Sequence, residues 1–133
     1  MLLPATTANA SSANHSAQAQ ISCIAQAIYH EARGEPLMGQ RLVAKVIVNR
    51  SEDGDWPETP CGVVYQPDQF TGFHGVPTHL IAPQIWRVAE AAYEHRLDVP
   101  GWASCIQYFA TSRQRYMRRV HRVGGHDFGC PES

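Results

Sequence analysis

The stretch IYHEARGEPLMGQ, residues 28–40, sets a histidine, two acids and an arginine between an apolar run and a turn rich in Pro and Gly. It admits three readings: a zinc motif lacking one ligand, a helix end that happens to be charged, or a carboxyl set at a helix terminus for chemistry. The zinc reading fails on spacing. The HExxH motif places two histidines one helical turn apart, and position 34 is Gly34. The histidines at 74, 79, 95, 121 and 126 offer no helical HxxxH pair either.

Upstream, apolar residues at 21, 24, 25 and 28 fall on one helical face, which predicts a helix over 20–32. Gly34 and the Glu35-Pro36 pair end it, because the residue before proline is pushed out of the helical region. Downstream, Leu42, Val43, Val46 and Ile47 predict a helix over 37–50. CGVVYQ (61–66) reads as one helical turn, QPDQFTGFHGVP (66–77) as a short irregular hairpin, and Pro83 to His95 as a further helix. Near the C-terminus, CIQYFAT (105–111) is β-prone, and GGHDFGC (124–130) is expected to return beside it, with the arginine-rich turn between them. The fold class is therefore α+β, mostly helical with a small late β-element.

At 133 residues the chain suits one domain with its own core. Residues 1–20 are rich in Ala, Ser, Thr and Asn, and lack both the basic region and the apolar stretch of a signal peptide. They read as a disordered leader, and 21–133 as a single catalytic domain. No apolar run reaches the about 18 residues that a membrane span requires. Cys23, Cys61, Cys105 and Cys130 form no CxxC pair, which disfavours a zinc ribbon. Cys105 and Cys130 lie in the two segments expected to pair, so a disulfide is expected there, with free buried thiols as the alternative.

The net charge of -1 names no partner, but five of the eleven basic residues, Arg113, Arg115, Arg118, Arg119 and Arg122, crowd into one segment. That segment is either a solvated face or a contact for an anionic polymer. Aromatics are not interleaved with the arginines except at Tyr116, which counts against nucleic acid. A non-catalytic module docking through this cluster is the rival to an enzyme, but it leaves EARGE unexplained.

For Glu31, a negative charge in the last helical turn opposes the helix dipole by roughly 0.3–1 kcal/mol. Either Arg33 or Arg41 compensates it, or the position has a chemical purpose. A carboxyl facing a cleft from a helix end has a raised pKa, as a general acid in glycoside cleavage requires.

The string AQAIYHEARGEPLMGQRLVAKVIVNR, followed by WPETPCGVVYQPDQFTGF, resembles the SleB type of cell-wall hydrolases, the spore-cortex-lytic family also found in phage lysis proteins. The matching parts are Glu31 to Glu35, Pro36, Gly39, Gln40, Asn49, Arg50 and Val63 to Phe70, with QYFA and GGHDF later. The resemblance implies a lysozyme-like fold, akin to goose lysozyme and the lytic transglycosylases, and cleavage of peptidoglycan glycan strands. It puts the catalytic acid at Glu31. A lytic transglycosylase needs no second carboxylate, whereas ordinary glycosidases use a pair, for which Glu35, Asp55 and Asp68 are the candidates here.

Around Glu31 the expected substrate-binding residues are Glu35, Gln69, Phe70, Thr71, Tyr108 and His126. Gln69 and Thr71 would bond sugar amides or hydroxyls, and Phe70 serves equally well as core. Of Tyr108 and Phe109, which alternate along a strand, one must point inward. No metal or other cofactor is expected. The expected setting is the cell envelope, periplasmic or secreted, or a phage lysis protein reaching the wall. The expected partners are glycan strands, an anionic envelope surface for the arginines, and no second copy of the chain.

Overall fold

The computed structural model describes residues 3–67, 70 and 76–132, with side chains from residue 17 onward. Most of the leader expected over 1–20 therefore has no described side chains, and most of the hairpin expected over 66–77 lies outside the described residues.

Four α-helices come first: α1 (Leu3–Ala32), α2 (Leu37–Ser51), α3 (Pro60–Val64) and α4 (Pro83–Tyr93). The helix expected over 20–32 is the C-terminal part of α1, and those expected over 37–50 and 83–95 match α2 and α4 closely. Pro60 and Pro83 each open a helix, where a missing N–H costs nothing, and the Thr59 hydroxyl caps α3 by accepting from the Gly62 amide. Helix α1 packs on α2, α3 and α4. The seam is built from Ile24, Ile28, Leu42, Val43, Val46 and Ile47, all fully buried.

After a 3-10 turn at Gly101–Cys105 come β1 (Tyr108–Ala110), β2 (Arg118–Val123) and β3 (His126–Cys130). The sheet order is β1-β3-β2, all antiparallel, with Phe109 opposite Phe128 and Val123 opposite His126. The expected return of 124–130 beside 105–111 is thus observed, and Cys105 is bonded to Cys130. A second disulfide joins Cys23 on α1 to Cys61 on α3.

The arginine-rich segment is not merely a turn. Its second half is strand β2, paired to β3 through a bulge between Arg118 and His121, with Arg119 at φ 49°. Val120, His121 and Val123 are half-buried there, while Arg118 and Arg122 stay exposed. A charged edge strand of this kind deters further strand pairing.

Candidate active site

Glu31 lies in the last turn of α1, half-buried. Burial raises its carboxyl pKa above the ordinary range, because desolvation disfavours the charged form. Neither arginine that might compensate it does so. Arg33 stacks on the Tyr29 ring and donates to the Tyr29 carbonyl at 3.2 Å, while Arg41 reaches the Asp98 carbonyl. Among the described residues Glu31 has no hydrogen-bond or ion-pair partner.

Three contacts hold this helix end. The Glu35 amide donates to the Ala32 carbonyl at 3.0 Å, closing the turn. The buried Gln40 donates its side-chain amide to the Ala32 and Arg33 carbonyls at 3.2 and 3.4 Å, and itself accepts from Gln84 on α4 at 3.1 Å. It thereby satisfies carbonyls that a helix C-terminus leaves without partners. Finally, the Gly125 amide donates to Glu35 Oε1 at 2.7 Å, fastening the turn to the β2–β3 connection. Neighbouring Gly124 has φ 60°, and a Cβ there would collide with the Glu35 carboxylate and Pro36. Only glycine suits that place.

Among the other expected residues, Gln69 and Thr71 lie outside the described residues. Phe70 is buried, 5.9 Å from the Phe109 ring, and so belongs to the core. His126 is buried edge-on to Phe109 and Phe128, its Nδ1 4.0 Å from Glu35 Oε1, too far for a hydrogen bond. Phe109 is the inward member of its pair. Tyr108 instead meets Trp56 and Tyr116, with ring centroids 6.2 and 4.8 Å away.

Sequence reasoning assigned no task to Asn49 and Arg50, yet both organise the approach to β1. Asn49 donates to the Ala103 and Ile106 carbonyls at 3.2 and 2.8 Å, and Arg50 Nε to the Gln107 carbonyl at 2.7 Å. The Arg50 guanidinium also covers the Trp56 ring at 4.1 Å. Burial lowers its pKa to about 10, against the opposing influence of Tyr108 and Tyr116, so it stays charged at neutral pH. Gln107 completes the cluster, accepting from Trp56 Nε1 at 2.9 Å and donating to Asp53. That bond, with one from the Asp55 amide, holds the Asp53 carboxyl below its ordinary pKa.

The remaining carboxylates are mostly occupied. Glu35 is held by Gly125, Asp53 by Gln107, and Asp127 by Arg122 at 3.1 Å. Asp55 is exposed in its loop and Asp68 lies outside the described residues. Among the described residues the arrangement is a desolvated acid without a partner on a capped helix end.

A family model described as cell wall hydrolase matches residues 34–129. The chain belongs to this family. Glu31 stands just ahead of the matched segment. The chain is 35% identical over 124 residues to a spore cortex-lytic enzyme of Bacillus cereus, covering 86% of this chain and 46% of the relative. It is 36% identical over 121 residues to one from Oceanobacillus iheyensis, covering 84% and 41%. The chain thus spans less than half of these relatives. Among solved structures it resembles the catalytic domain of the Bacillus cereus SleB protein, with TM-score 0.68, 27% identity, and coverage of 84% of this chain and 90% of that one. It also resembles the catalytic domain of the germination-specific lytic transglycosylase SleB from Bacillus anthracis, with TM-score 0.67, 26% identity, and coverage of 83% and 93%. The fold is the lysozyme-like α+β fold of these domains, as the sequence motifs implied.

Proposed function

We propose that this cell wall hydrolase cleaves the glycan strands of peptidoglycan as a lytic transglycosylase, with Glu31 as its single acid and base. The observation that carries the reading is the desolvated Glu31 carboxyl, held on a capped helix end without a partner among the described residues. With its proton held more tightly by burial, the carboxyl gives that proton to the oxygen joining N-acetylmuramic acid to N-acetylglucosamine as the bond to the anomeric carbon breaks. The carboxylate left behind takes the proton of the muramic C6 hydroxyl as that oxygen attacks the same carbon, leaving a 1,6-anhydro end. Water in place of the C6 hydroxyl gives hydrolysis. The engagement of Glu35, Asp53 and Asp127 elsewhere favours the route that needs one carboxylate.

Tyr108 is the side chain best placed for sugar contact on β1, and Gln69 and Thr71 are proposed to bond sugar amides or hydroxyls. Glu35 holds the turn through Gly125, and His126 packs against Phe109 and Phe128, rather than touching sugar. The setting is outside the cytoplasm, at the cell envelope. The enzyme acts as a monomer, reaching the wall from the periplasm, by secretion, or as a phage lysis protein.

Arg118 pairs with Glu132 at 2.8 Å and Arg122 with Asp127, whereas Arg113, Arg115 and Arg119 are exposed without an acidic partner among the described residues. These three serve an anionic envelope surface. Their replacement by Gln is expected to weaken lysis of intact cells and spare purified peptidoglycan; equal losses in both assays would overturn that role.

The test of the cleavage is mass spectrometry of muropeptides released from purified peptidoglycan by the wild type and by Glu31→Gln. Anhydro ends that vanish in the variant support the transglycosylase, and reducing ends point to hydrolysis. No release by the wild type, or equal release by the variant, overturns the reading and favours a binding module.

A further inference from the structure

The α2–α4 face carries charge that the cleavage chemistry does not use. A cavity of about 350 Å³ there has Leu37, Val88 and Leu97 among its apolar walls, and Arg41, Arg87 and Arg96 as its basic ones. Asp98 is the acid that lines it. A second cavity, of about 400 Å³, is lined by Tyr29, Arg33 and Gly34 from the turn that follows Glu31. Gln84 lines both, so they adjoin, and together they present four arginines against one carboxylate.

Little in the protein satisfies these guanidinium groups. Arg96 meets Glu94 at 2.7 Å with both side chains more than half exposed, a kind of pair that water competes with readily. Among the described residues Arg41 donates to a backbone carbonyl, and Arg33 donates to another while its guanidinium lies over the Tyr29 ring. Arg87 has no hydrogen bond or ion pair among the described residues. Guanidinium forks suit carboxylates, and the apolar walls suit short aliphatic side chains. A short acidic peptide combines the two.

We propose that this groove receives the peptide stem borne by the muramic acid residue beside the scissile bond, an inference that rests on the reading of the chain as a peptidoglycan-cleaving enzyme. Tyr29 and Arg33 are on the far side of α1 from Glu31, so the stem passes round the helix end. Gly34 leaves that path open: it is exposed, and a Cβ there would meet nothing within 4 Å. A stem of four to five extended residues spans roughly 13–17 Å, more than the about 10–12 Å width of a helix that it has to pass.

The test compares kcat/KM on purified glycan strands with their stems and on strands stripped of them by an amidase, for the full chain and for Arg87→Gln/Arg96→Gln. The wild type is expected to prefer stem-bearing strands by about tenfold or more, and the double variant to bring that ratio toward one, as loss of two charge-assisted contacts implies. A wild-type ratio near one, or an unchanged ratio in the variant, overturns the proposal while leaving the cleavage reading intact.

If the wild type cleaves neither substrate, the cleavage reading falls and a binding measurement decides. The wild type is titrated by NMR with the tripeptide alanyl-γ-glutamyl-diaminopimelate. Shifts at the Arg87 and Arg96 Nε–H groups and the Leu37 and Leu97 methyls support the groove. No shifts there overturn it, as do the same shifts produced equally well by inorganic phosphate.

Discussion

The Gly125 amide donates a 2.7 Å hydrogen bond to Glu35 Oε1 across 90 positions of sequence, and through it the turn that ends the Glu31 helix is anchored to the small sheet. On the proposed reading the second acid of EARGE works through its neighbour, anchoring the turn that follows Glu31. Glu35→Ala is expected to cost about 1.5–3 kcal/mol of stability, the range for a bond to a charged group, and to lower kcat more than KM. Gly124→Ala should cost about as much, because it combines a strained φ with a collision on Glu35. Urea denaturation beside steady-state rates checks both. An unperturbed kcat in a folded Glu35→Ala protein would remove the positioning role.

Glu31 gives a pH prediction in which stability and activity run the same way, both falling as pH rises. Its folded pKa is raised by burial, so the folded state holds that proton more tightly than the unfolded chain. The associated stability is present below the unfolded value and lost as pH rises through the folded one. Glu31→Gln is therefore expected to abolish cleavage while matching or exceeding wild-type stability at pH 8. The gain should be only a few tenths of a kcal/mol, since solvent screens a half-exposed carboxyl. It should vanish in acid, where both proteins carry a neutral side chain. Wild-type activity should fall on the alkaline side as the acid loses its proton. Denaturation curves at pH 4 and pH 8 read the first point and a pH–rate profile the second.

Much of this architecture was legible because helices and strands announce themselves locally. Ile85, Val88, Ala89 and Ala92 are buried in α4 as their spacing implied, and Cys105 and Cys130 sit in the two segments whose pairing was expected. What escaped is long-range and polar. The arginines of β2 hid a strand whose exposed face is charged. The tasks of Gln40, Asn49 and Arg50 depend on backbone carbonyls 7 to 57 residues away, and no periodicity encodes such a partner. The motifs marked these residues as noteworthy, and only the folded chain assigns Gln40 to a helix cap and Asn49 and Arg50 to the start of β1.

That division of labour is testable at Arg50. Its Nε bond to the Gln107 carbonyl and its seat on Trp56 need a planar fork, which lysine lacks. Arg50→Lys is expected to cost about 1–3 kcal/mol and Asn49→Ala about 1–2 kcal/mol, the latter stripping the donor from the Ala103 and Ile106 carbonyls. Both should also quench or shift Trp56 fluorescence less than Arg50→Ala does. Arg50→Lys with wild-type stability would show that charge alone suffices there.

The two disulfides divide the fold between them: Cys23–Cys61 ties α1 to α3 across 38 positions, and Cys105–Cys130 closes the sheet across 25. Loops of this size are each worth about 2–4 kcal/mol on folding, mainly through restriction of the unfolded chain. Against a typical total of about 5–15 kcal/mol for a domain, losing both consumes much of the margin. Dithiothreitol is expected to lower the midpoint of thermal unfolding by more than 10 °C and to suppress activity in parallel. The variant Cys23→Ala/Cys61→Ala should reproduce part of the shift, and lose its remaining sensitivity to reductant only when Cys105 and Cys130 are replaced as well. A wild-type midpoint indifferent to reductant, with four thiols free to alkylation before unfolding, would mean that neither bridge forms and that the four cysteines are buried thiols.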